Sequence, residues 1–127
     1  MSNKTKLLLV DDNQEYLELL TEFLTASSYE VMPCSNGREA LIKFTEFLPD
    51  IIVTDIVMPE VDGIELLLAL RKINPESQVI LMSGGNKGHA SSYLQMAEKL
   101  GGNVILAKPF SLDVLLAEIK KLEAIGR

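Results

Sequence analysis

The stretch "EVMPC", Glu30–Cys34, decides how this chain folds. It is the second of five short apolar runs and has a proline, Pro33, inside it. Proline has no N–H to give to a β-ladder, so a strand that contains one belongs at a sheet edge. The other runs are "KLLLV" (Lys6–Val10), "DIIVT" (50–54), "QVILM" (78–82) and "NVILA" (103–107). They are apolar nearly throughout, as strands covered on both faces should be.

Between the runs, apolar residues recur at three- and four-residue spacing, the period of a helix with one buried face. Tyr16, Leu17, Leu20, Phe23 and Leu24 form one stripe, and Ala40, Leu41, Phe44 and Phe47 a second. Ile64, Leu67, Leu70 and Ile73 form a third, and Leu112, Leu115, Leu116, Ile119 and Leu122 the last. Residues 86–100 complete the series with the weakest pattern, since "NKGHASSY" is polar and follows Gly84-Gly85. Asp12 with Glu15, Asn36 with Glu39 and Asp62 with Glu65 read as capping boxes, and Ser111 as the cap of the last helix. Pro49 and Asn74-Pro75 close the second and third helices.

Strands alternating with helices predict a parallel α/β sheet with helices on both faces. Placing the Pro33 strand at an edge selects the order 2-1-3-4-5, a flavodoxin-like (βα)5 three-layer sandwich. A Rossmann order would put that strand inside. The chain of 127 residues reads as one domain, 1–127, with no linker, repeat or low-complexity tract.

A net charge of -6 argues against a nucleic-acid or anionic-membrane binder, which needs a basic face. One cysteine, Cys34, excludes an internal disulfide and a cysteine-based zinc site. On an edge strand it reads as a small buried hydrophobe. Leu7 to Val10 is too short an apolar run for a signal peptide or a membrane span, so the expected location is the cytoplasm. "SGGNKG" lacks the P-loop pattern, and His89, the single histidine, has no partner motif.

In open parallel sheets, function collects beyond the carboxyl ends of the strands, where strand order reverses. Strand 1 ends in Asp11-Asp12, strand 3 in Asp55, strand 4 in Ser83 and strand 5 in Lys108. Three converging carboxylates repel strongly; at about 4 Å each pair costs roughly 4 kcal/mol at an effective dielectric near 20. Either their pKa values rise or a divalent cation enters, and oxygen-only ligands favour a hard ion, Mg2+ first. A carboxylate, a metal, a lysine and a hydroxyl suit phosphoryl transfer to an acid. Each has a blander reading: Asp12 a helix cap, Asp55 a turn former, Lys108 an exposed lysine before Pro109.

Taken together, "LLLVDD", "VTDIVMPEVDG", "ILMSG" and "LAKPF" resemble the signature of receiver domains of two-component response regulators. The resemblance covers essentially the whole chain in order. It implies Asp55 as phosphoacceptor and Asp11 and Asp12 as the acid pair for Mg2+, with the backbone carbonyl of Val57 as a further metal ligand. It implies Ser83 as the hydroxyl switch residue, Lys108 as the charge-neutralising lysine and a cis Lys108-Pro109 bond. Implied partners are a sensor histidine kinase or a histidine phosphotransfer protein. A downstream target would use the face made by helix 86–100, strand 5 and the last helix. Such a domain is not a conventional enzyme, and with no output domain after Arg127 it is expected to act alone.

The family commonly has Tyr or Phe three residues before the lysine, whereas this chain has Ile105, which puts the usual readout in doubt. Switching is then expected to fall to the loop 84–88 and helix 86–100. Val57 and Gly85 flank the approach of a hydrolytic water in such domains, and neither supplies a base, so a long-lived phosphorylated form is expected. Three other readings stand beside this one. A flavodoxin-like cofactor binder needs a Ser/Thr/Gly-rich loop after strand 1, where Asp11-Asp12 would repel a phosphate. A haloacid-dehalogenase-type hydrolase needs D-x-D there and a cap region. A degenerate receiver used only for protein interaction would not need the acid cluster.

Overall fold

A computed structural model of the chain describes residues 4–58, 60–84 and 104–126. Five parallel strands lie in the order β2-β1-β3-β4-β5. These are β1 (Lys6–Val10), β2 (Glu30–Cys34), β3 (Ile51–Asp55), β4 (Gln78–Ser83) and β5 (Val104–Ala107). The described helices are α1 (Gln14–Ala26), α2 (Gly37–Phe47), α3 (Gly63–Ile73) and a C-terminal helix (Leu112–Gly126). Pro33 pairs with Leu9 from the edge position, as its missing N–H requires. The expected helix 86–100 lies outside the described residues.

Alternate residues of each strand face opposite layers, so the central strands feed two cores. Leu8, Val10, Ile52, Val79 and Leu81 pack with Ala40, Phe44, Leu67 and Leu70 of α2 and α3. Leu7, Leu9, Val53 and Ile80 pack with Leu17, Leu20 and Leu24 of α1 and Leu115 and Ile119 of the C-terminal helix. Cys34 is buried in the first core, where burial pushes its thiol up to about 12 and keeps it protonated.

Local details depart from the sequence reading in four places. Strands β3 and β4 each run one residue further, so Asp55 and Ser83 are ladder residues; Asp55 pairs with Met82. Asp12 does not cap α1: the cap is Asn13, whose side chain accepts the Tyr16 N–H at 3.1 Å. That shift of one residue leaves both aspartates free to face the strand ends. Asn36 caps α2 through Glu39 N–H, but the Glu39 carboxylate reaches back to Ser35 N–H instead of closing the box. In α3 the buried face centres on Gly63, Leu67 and Leu70, so Leu66 is buried and Ile73, the last residue, is exposed. The Asp62–Glu65 capping box forms as expected, and Ser111 Oγ accepts the Val114 N–H.

At the opposite end of the sheet from the acids, Glu123 of the C-terminal helix accepts hydrogen bonds from Thr5 (2.5 Å) and Tyr29 (2.6 Å). Thr5 and Tyr29 are themselves buried, and the carboxylate ties the helix to the start of β1 and to the turn before β2. Hydrogen bonds to a charged partner contribute about 1.5–3 kcal/mol each. Glu123→Ala, which removes the acceptor that both hydroxyls share, is expected to destabilise the protein by roughly 2–4 kcal/mol, with Glu123→Gln recovering part of the loss. Urea denaturation of the two variants beside the wild type measures this.

Candidate functional site

The pocket is assembled from strand ends. β1 delivers Asp11, which is fully buried, with its backbone N–H bonded to Cys34 O across the sheet. Its Oδ1 accepts the Asn13 N–H at 2.9 Å, and its Oδ2 lies 3.0 Å from Lys108 Nζ. Asp12 follows with its side chain exposed at the mouth. β3 delivers Asp55, 8 % exposed, whose Oδ2 is 3.6 Å from the same ammonium. One carboxylate oxygen from each of Asp11, Asp12 and Asp55 can be chosen so that all three lie within 4.8 Å of one another.

Lys108 follows β5. Its N–H bonds to Ser83 O at 2.7 Å, and the Lys108-Pro109 bond is cis, as the resemblance implied. Ser83 ends β4 and is buried beside Ala107. Val57 sits in the loop after β3 with its side chain exposed. Ile105 pairs with Leu81 and is partly buried against the α2–α3 core, with no polar group to expose or withdraw.

Burial pushes the Asp55 carboxyl up to about 6. Lys108 works against the shift, while Asp11 and Asp12 add to it. A carboxyl raised by burial and by like charges, beside a single ammonium, has room for more positive charge. The donor set fits a divalent cation: three carboxylates, oxygen only, without a histidine or cysteine ligand among the described residues.

Three features were not legible as site features in the sequence. Tyr16, assigned to the core stripe of α1, places its ring under Lys108, with Nζ 4.6 Å from the ring centroid. Its only sequence signal was its place one helical turn after the aspartates. Burial, Asp11 and Asp55 push its hydroxyl up to about 12, so the ring stays neutral. Gly63, the residue after the Asp62 cap, packs its Cα against the backbone of Asp55 and Ile56. Glu60 holds a positive φ of 65° in the loop between β3 and α3, a conformation no sequence pattern announced.

Sheet order and pocket together define the class: a flavodoxin-fold α/β domain with an acid pocket at its switch point. The chain belongs to the response regulator receiver domain family, whose family model matches residues 7–120. It is 33% identical over 118 residues to the chemotaxis protein CheY of Thermotoga maritima, covering 92% of this chain and 96% of that protein. Sporulation initiation phosphotransferase F of Bacillus subtilis is 32% identical over 116 residues, 91% of each chain. The solved structure of chemotaxis protein CheY4 of Vibrio cholerae superposes with a TM-score of 0.85 at 26% identity, covering 94% of this chain and 98% of that one. The Francisella response regulator 1452 receiver domain gives 0.86 at 29% identity, covering 98% and 100%. Receiver domains are signalling modules that interact with histidine kinases or phosphotransfer proteins and with downstream targets.

Proposed function

We propose that residues 1–127 form a single receiver domain that takes a phosphoryl group from a phosphohistidine donor onto Asp55 and signals by a change of conformation. The observation that carries this is the convergence of Asp11, Asp12 and Asp55 with Lys108, which lies 3.0 Å from Asp11 and 3.6 Å from Asp55. In the transfer, an Asp55 oxygen forms the new P–O bond as the donor's P–N bond breaks, and the imidazole leaves with the electron pair and takes a proton. Lys108 offsets negative charge on the phosphoryl oxygens, and Ser83 donates a hydrogen bond to one of them. Asp11, Asp12, Asp55 and the Val57 carbonyl would hold Mg2+, which supplies charge neutralisation at the same oxygens. The domain assists its own phosphorylation and is not otherwise an enzyme.

Downstream recognition is assigned to the face that the expected helix 86–100 would build with β5 and the C-terminal helix. Because Ile105 has no hydroxyl, readout depends on the segment after β4. A cytoplasmic setting suits these partners; no helix among the described residues is long and apolar enough to cross a membrane.

The test is incubation with Mg2+ and acetyl phosphate, read by intact mass. One phosphoryl adduct is expected, absent in excess chelator and absent in Asp55→Asn. No adduct in the wild type would leave the phosphorylation-independent interaction module as the reading. The adduct is also expected to decay slowly, since the exposed Val57 side chain can occlude a water but not orient one. Val57→Asn should shorten its lifetime by up to about 10-fold, below the 10²–10⁴ that a positioned base can supply. A decay course of the two proteins decides it, and equal lifetimes would refute the water-positioning argument.

A further inference from the structure

We infer that Tyr16 is a positioning residue for Lys108, its ring face holding the ammonium over the pocket while the carboxylates around it change partners. The inference rests on the receiver reading above and extends it to a residue outside the acid, hydroxyl and lysine set. The Lys108 ammonium has three contacts in the described site: Asp11 Oδ2 at 3.0 Å, Asp55 Oδ2 at 3.6 Å and the Tyr16 ring at 4.6 Å. The first two are not constant. A cation entering the pocket competes for the Asp11 oxygens, and phosphorylation converts Asp55 into an acyl phosphate of different charge and shape. The ring is the contact that neither event alters. It attracts the ammonium through the negative face of its quadrupole, an interaction strengthened where water is partly excluded.

Tyr16 is itself held from two sides. Its backbone N–H donates to the Asn13 cap at 3.1 Å, which fixes the first turn of α1. The ring meets Phe110 edge-to-face, with centroids 6.4 Å apart and planes at 71°. Phe110 lies two residues beyond Lys108, so the aromatic pair ties the start of α1 to the segment that carries the lysine. A lysine stem has four rotatable bonds, and a ring fixed in this way limits the directions in which it can point.

The experiment compares wild type, Tyr16→Phe, Tyr16→Leu and Tyr16→Met in two readouts. One is the initial rate of Asp55 modification by acetyl phosphate with saturating Mg2+. The other is the proton NMR shift of the Lys108 ε-methylene, which a ring face moves upfield. Expected are an upfield shift and a rate within about 2-fold of wild type for Tyr16→Phe, which keeps the ring face. For both Tyr16→Leu and Tyr16→Met the shift should vanish and the rate fall about 3- to 10-fold, the range a partly desolvated cation–π contact implies. The aliphatic variants fill the same core space, so a purely structural role would leave rates alike once melting temperatures match. Aliphatic variants with wild-type rates, or a Tyr16→Phe as slow as they are, would overturn the inference. A wild type that takes no phosphoryl group would overturn the receiver reading and this inference with it, a failure seen before any variant is compared.

Discussion

Asp55→Asn is expected to abolish the phosphoryl adduct and, in the absence of divalent ions, to make the protein more stable. The first effect follows from loss of the nucleophilic oxygen and should be complete within the sensitivity of intact mass measurement. The second follows from the site's electrostatics. Asp55 is buried and faces Asp11 and Asp12 with Lys108 as its counter-charge among the described residues, and its pKa is pushed up to about 6. An unfolded aspartate titrates near about 3.9. The raised value means that the folded state holds the proton more tightly. Stability from this group is therefore fully present below about pH 4 and is lost as pH rises to about 6. Above that the folded protein carries the full penalty of an ionised, crowded carboxylate, about 1–2 kcal/mol once solvent screening is allowed for. Asparagine has the same shape without the charge. The advantage of the variant should be absent near pH 4, grow through the window and level off above about pH 6. Urea denaturation from pH 4 to 8 in chelator measures it. Added Mg2+ should stabilise the wild type more than the variant, because an ion held by three carboxylates would lose one ligand charge when Asp55 is replaced. An advantage that shrinks as pH rises would contradict the assigned sign.

The second large effect is expected at Gly63. A Cβ there would collide with the Asp55 carbonyl oxygen and lie 2.7 Å from Ile56 Cα. Both are backbone atoms at the end of β3, so no side chain can rotate away. The approach is fixed from the other side by the Gly63 N–H, which donates to Ile56 O at 2.7 Å. Gly63→Ala must push the start of α3 off the strand or move the strand end that carries Asp55. Backbone-level overpacking costs upward of about 3 kcal/mol, or roughly 10 °C in melting temperature for a domain of this size. Either displacement also disturbs Asp55, so the rate of phosphorylation should fall along with stability, unlike in Asp55→Asn. The paired control is Gly84, where a Cβ meets nothing within 4 Å among the described residues and substitution by alanine should leave stability unchanged. Melting curves of the two glycine variants, with acetyl phosphate rates for Gly63→Ala, give the comparison.

The two glycines look alike in sequence. Each directly follows a short polar residue, Asp62 or Ser83. They differ in what lies opposite them: Gly63 meets the backbone of Asp55 and Ile56 at the end of β3, whereas no described atom faces Gly84. Asp12 and Asn13 make a similar pair: either can cap a helix, and only the packed position of α1 selects Asn13 and leaves Asp12 at the pocket. Tyr16 satisfied the helical period so well that the period explained it completely. Its contact with Lys108 joins residues on different elements and has no periodic signature.

Strand order was within reach of the sequence because one residue's covalent chemistry decided it: Pro33 cannot donate, so its strand lies at the edge. The strand-end positions of Asp11, Asp12, Asp55 and Lys108 followed from the alternation of apolar runs with helical stripes, since a parallel sheet brings its carboxyl ends to one side. These are one-dimensional properties, carried by the order and period of residue types. The 3.0 and 3.6 Å placement of Lys108 between two acids, the ring beneath it, the raised Asp55 carboxyl and the space-limited Gly63 were decided only by tertiary structure. Each depends on burial and on distances of a few ångströms between atoms far apart in the chain, quantities that exist only once the two cores have packed.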